Sequence, residues 1–182
     1  MSITKEQLRL AAWFSIANAA VTIPIFIVRE FLDVADGIQL KIINIFLSAI
    51  SLSLVIYVTK CFKKVLNCCF KFNAVNNLVY VFIWSNVVVS LISFLLGEGN
   101  TIQALIVSIL ALITLGSIYM IFAIKLLSIS ENVSVLLIVF AFTIIAKGLC
   151  LATVILLPLS LLVSVVSDVV LGIIFLRAAD AS

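Results

Sequence analysis

The chain has 182 residues, 65% hydrophobic and 10% charged, with a net charge of +3. A soluble domain is about 45–50% apolar and about 25% charged, so this excess of apolar surface excludes a soluble fold and calls for lipid as the solvent. Histidine is absent, which removes the commonest general base, the commonest metal ligand and the usual axial ligand of haem. The basic residues neither interleave with aromatic motifs nor sit on a soluble domain, so nucleic acid is not an expected partner.

The first apolar run, Leu10 to Val28, exceeds the about 7–15 residues of a signal-peptide core. No small-residue cleavage site follows it, so it reads as helix 1 (10–28), kinked at Pro24. The next segment, Arg29 to Gly37, alternates acids with apolar residues. It reads as an interfacial continuation of the helix, with Gly37 suited to a C-terminal cap.

Helix 2 is expected over 42–59. A basic connection follows with Lys60, Lys63, Lys64 and Lys71, and it holds three of the four cysteines, Cys61, Cys68 and Cys69. Their spacing fits no zinc or iron–sulfur pattern, so they read as reduced thiols. This connection either only sets topology or also meets anionic lipid and accepts palmitate.

Helix 3 is expected over 75–96, followed by a tight turn at Gly97–Asn100. Asn100 and Gln103 form a capping box that starts helix 4, over 101–125. Ser128 and Glu131 form a second and start helix 5. From Val133 to Leu176 the chain is apolar almost throughout. At about 1.5 Å per residue this stretch is twice too long to cross a ~30 Å hydrocarbon core once. Pro158 marks the fold-back, because proline is disfavoured within a helix and tolerated at its start. Helix 5 therefore reads as 131–156 and helix 6 as 158–176.

Placing the basic connection inside puts Lys5, Arg9, Lys60, Lys63, Lys64, Lys71, Lys125 and Arg177 on the cytoplasmic side, against Arg29 and Lys41 outside. The positive-inside bias then sets both ends in the cytoplasm. The expected fold is an all-α, polytopic membrane helix bundle: a single transmembrane domain over residues 1–182, with six spans, N-in and C-in. A bacterial inner (cytoplasmic) membrane is the expected location.

Polar residues in these spans recur at helical spacing. Ser15, Asn18 and Thr22 share a face of helix 1, Asn44, Ser48 and Ser51 of helix 2, and Asn86, Ser90 and Ser93 of helix 3. Such stripes serve as packing seams, where small and hydrogen-bonding side chains let backbones approach. The alternative is a polar path for a solute.

Lys147 and Asp168 carry the strongest functional signal. They lie ten residues before and eleven after Leu157. An antiparallel hairpin then sets them at nearly one depth, about 15 Å from the membrane surface. An isolated charge there costs about 2.5–3.5 kcal/mol on the gentler insertion scale, so the two are expected to pair. Thr143 and Cys150 share the face of Lys147, and Ser164 and Ser167 neighbour Asp168. The pair either fixes hairpin register or forms a proton- or ion-responsive site.

No phosphate loop, zinc motif or catalytic constellation occurs, and no cofactor is expected. The chain reads as non-enzymatic. One reading is a small transporter or channel-like protein using the charge pair. The alternative is a non-catalytic subunit or scaffold. Its expected partners are membrane lipids and, in the second reading, other membrane proteins or copies of itself.

Overall fold

The computed structural model describes residues 4–34, 38–70, 75–96, 102–128 and 135–181. Among the described residues there are six helices: α1 (Lys5–Val34), α2 (Ile38–Cys69), α3 (Asn76–Leu96), α4 (Ile102–Leu127), α5 (Val135–Ala152) and α6 (Leu157–Ala181).

Thr4 starts α1 with a capping box. The Gln7 amide donates to Thr4 Oγ1 at 3.2 Å, and the Thr4 amide reaches Gln7 Oε1 at 3.5 Å. These two bonds satisfy donors that a helix start leaves free. The helix carries Pro24 in its interior and runs on past Val28 to Val34, into the segment read above as its continuation.

The basic connection after helix 2 is itself helical. α2 continues through Lys60, Lys63 and Lys64 to Cys69. The physical reason is local. Residues 38–69 include neither glycine nor proline, and lysine propagates a helix almost as well as leucine. The lysines therefore do not end the helix.

The fold-back before α6 occurs where Pro158 places it, but α5 is shorter than expected and ends at Ala152. Residues 153–156 turn the chain without a polar loop, because the turn satisfies its own backbone. Thr153 Oγ1 donates to the carbonyls of Leu149 and Cys150 at 2.9 and 3.2 Å. The amides of Val154 and Leu157 donate to Leu151 and Val154 at 3.3 and 3.1 Å. Val154 adopts a φ of 56°, a left-handed conformation that a β-branched residue rarely takes. Pro158 is the second residue of α6, where its missing amide costs nothing. Gly37, Asn100 and Glu131, named above for capping and turns, lie outside the described residues.

Each helix packs on its neighbours in sequence, and α1 closes the ring against α6, with α2 also touching α6. Two contacts in this ring are made close by glycine. A Cβ built on Gly116 of α4 would stand 2.5 Å from the Gly148 carbonyl of α5, and one on Gly148 would stand 2.7 Å from the Gly116 carbonyl. A Cβ on Gly172 of α6 would meet Ile16 of α1 at 2.7 Å. Small residues thus bring α4 to α5 and α6 to α1, as close helix packing in lipid requires.

The core gathers towards the end where α2 and α6 finish. Phe62 of α2 is its hub, with ring centroids 6.5 Å from Phe122, 5.1 Å from Phe140 and 6.4 Å from Phe175, each edge-on. Edge-to-face rings gain about 0.5–1.5 kcal/mol beyond their contact area. The periphery is apolar. Trp13, Phe46 and Trp84 are each about two-thirds exposed, and Ile102 is 77% exposed. Soluble monomers rarely leave such faces open.

Among the described residues, four helical stretches are long and apolar enough to cross a membrane: Ile45–Cys69, Ile102–Leu127, Val135–Ala152 and Leu157–Asp180. Asn76–Ile92 is a shorter apolar helix. This is the make-up of a helical membrane protein.

Candidate functional site

Asp168 lies mid-way along α6, facing α1. Its Oδ2 accepts a 2.7 Å hydrogen bond from the Asn18 side-chain amide. One turn away, the buried Ser15 hydroxyl donates to the Asp168 backbone carbonyl at 2.8 Å. Both bonds come from the polar stripe of α1, and its spacing explains the geometry. Residues three apart on a helix share a face, so Ser15 and Asn18 reach the same residue of α6. The third member, Thr22, donates to the Asn18 carbonyl on its own helix at 2.7 Å.

Lys147 lies on α5, on the other side of α6 from α1. Its Nζ sits 4.8 Å from the centroid of the Tyr119 ring on α4. A cation over an aromatic face is attracted by the ring quadrupole, and the attraction strengthens away from water. The Tyr119 hydroxyl reaches Asn86 Oδ1 of α3 at 3.3 Å, and the Asn86 amide donates to the Phe82 carbonyl at 2.7 Å. Phe82 also stacks on Tyr119, with centroids 4.6 Å apart.

These contacts form one polar string, Asn18–Asp168–Lys147–Tyr119–Asn86, that passes through α1, α6, α5, α4 and α3. Its central link is electrostatic. The Lys147 and Asp168 charges act on each other, but they do not touch as an ion pair. Among the described residues, the ion pair within 4.0 Å is Arg9–Asp180, at 3.9 Å and exposed. Each half-buried charge instead keeps a neutral partner on another helix, the Asn18 amide for the carboxylate and the Tyr119 side chain for the ammonium. The direct pairing expected from matched depth is replaced by this divided arrangement.

The other sequence candidates divide as follows. Thr143 and Ser164 donate to Phe140 and Ser160 within their own helices. Cys150 and Ser167 are buried. On α2, Ser48 and Ser51 are half-buried, and the side chain of Asn44 lies outside the described residues. On α3, Asn86 joins the string and Ser90 is exposed, while the side chain of Ser93 lies outside the described residues.

Tyr119 was not singled out from the sequence, although it completes the string. Its signal was its residue type, since a tyrosine within a membrane helix has a hydroxyl that needs a partner. Among the described residues, no three His, Cys, Asp or Glu side chains gather as metal ligands. A pocket of about 170 Å³ lies away from the string, at the basic end, with Cys69, Leu137 and Arg177 among its lining. No protein-family model, no curated protein and no solved structure matches this chain.

Proposed function

We propose that the chain spans the membrane six times with both ends in the cytoplasm, and that it is a small non-enzymatic transporter or channel-like protein of a bacterial inner membrane. The excess of Lys and Arg at one end of the bundle supports the orientation. One observation carries the functional reading: Lys147 and Asp168 are half-buried opposite charges on adjacent helices, each held by a neutral partner instead of by the other. A pair serving only as a structural clamp gains most by closing into a direct, hydrogen-bonded bridge. Charges held apart are able to trade partners, and ionisable groups within membrane helices mark ion and proton paths.

Flux in proteoliposomes tests this, with H⁺, Na⁺ and K⁺ as the ions followed. The expected result is flux through the wild-type protein that Lys147→Gln and Asp168→Asn each reduce at least about tenfold, a barrier change of about 1.4 kcal/mol. Equal flux in wild type and both variants removes the reading.

A second reading, a non-catalytic subunit or scaffold, sets a protein partner in place of lipid against the apolar faces around Trp84 of α3 and Ile102 of α4. A second copy or another membrane protein packed there would bury them. Mass measurement in lipid nanodiscs separates the two readings: an obligate assembly without flux supports the subunit.

A further inference from the structure

The string changes character along its length. The bonds from Ser15 and Asn18 to Asp168 lie within one helix pair, α1 with α6. The same pair is interlocked where Gly172 meets Ile16, and Arg9 meets Asp180 at its end. The contact of Lys147 with Tyr119 lies within a second pair, α5 with α4, which is interlocked through Gly116 and Gly148. Between the pairs runs the α5–α6 seam. Across it the Lys147 and Asp168 charges attract without touching. The two pairs are joined at one end by the turn containing the strained Val154. At the other end Phe62 inserts between Phe122 and Phe140 of one pair and Phe175 of the other.

We infer that the bundle works as two bodies, α1 with α6 and α4 with α5, that shear along the α5–α6 seam, with Lys147 and Asp168 as the contact that closes and opens between them. This rests on the reading of that pair as the site. The glycine contacts lock each body, so displacement collects at the seam between them. In the closed arrangement the charges would meet directly. In the arrangement described here each falls back on its neutral partner. Strain held in an unfavourable backbone conformation is relieved when the surrounding structure shifts, which gives Val154 a part as the joint.

Distances between spin labels test the inference without reference to flux. Exposed Cys68 and Cys69 are replaced by Ser, and labels are placed at the exposed positions Trp13 (α1), Val166 (α6), Ile113 and Ile121 (α4) and Phe142 (α5). In lipid nanodiscs, Lys147→Gln and Asp168→Asn are expected to shift the cross-body distances Trp13–Ile121 and Val166–Ile113 by about 2 Å or more, the scale of a shear. The within-body distances Trp13–Val166 and Ile121–Phe142 stay fixed. The double exchange Lys147→Asp with Asp168→Lys returns the wild-type distances. Val154→Gly, which removes the strain from the present arrangement, narrows the cross-body distribution onto it.

Cross-body distances that ignore both single variants, or within-body distances that move as far as the cross-body ones, overturn the two-body inference. A distribution unchanged by Val154→Gly overturns the joint. Label movement without flux leaves the two bodies standing and removes transport. Flux that depends on the pair without label movement does the reverse.

Discussion

Gly116 and Gly148 face each other so closely that a methyl group on either would stand within 2.7 Å of the other's carbonyl oxygen. Backbone, unlike the tip of a long side chain, has little room to move aside. Gly116→Ala and Gly148→Ala are each expected to destabilise the protein by about 1–3 kcal/mol, the range of an overpacked core. Thermal unfolding in detergent measures it, and wild-type stability in both variants would show that α4 and α5 have room to separate.

Asn18→Leu removes the amide that Asp168 uses and keeps much of the side-chain volume. A buried acceptor left without its donor costs about 1–3 kcal/mol, with charged groups at the upper end. The loss is expected to vanish in an Asp168→Leu background, because the two residues then have no bond to break. A double-mutant cycle on unfolding free energies reads this coupling, and additive losses would disprove it.

Two substitutions at Tyr119 separate its two roles. Tyr119→Phe keeps the ring beside Lys147 and loses the hydroxyl, which reaches Asn86 and also acts on Lys147, at an expected cost of about 0.6 kcal/mol for each bond lost. Tyr119→Leu also removes the ring and is expected to cost a further ~0.5–2 kcal/mol. Equal stability of the two variants would mean that the cation–ring contact contributes nothing.

Exposed Cys68 and Cys69 report which side of the membrane the basic end faces. With both ends in the cytoplasm, a membrane-impermeant maleimide labels them in inverted vesicles and leaves them unmodified in intact cells. Labelling in intact cells would reverse the proposed orientation.

How much was legible from the sequence depends on the interaction. The fold-back was legible because Pro158 and the impossible length of a single span pointed to the same place. The continuation of α2 was not, because a run of lysines signals the water boundary and says nothing about whether the backbone stays helical. That Lys147 and Asp168 come near enough for their charges to act on each other was legible from helical rise about the fold-back. Their partners were not, because the rotation of each helix about its own axis is set by packing. The Asn18–Asp168 bond spans 150 positions, beyond the reach of any local pattern. The stripe of Ser15 and Asn18 announced a contact face on α1 without naming the helix that fills it.

The closure of α1 on α6 also imposes an order on biogenesis. The ribosome makes α1 before α6, so Ser15 and Asn18 are in place long before their acceptors exist. Until α6 follows, this face of α1 stays open to lipid or to a chaperone of membrane insertion. A product cut short before Asp168 would display the same unpaired serine and asparagine indefinitely, a polar mark by which a membrane protease could tell an unfinished bundle from a finished one.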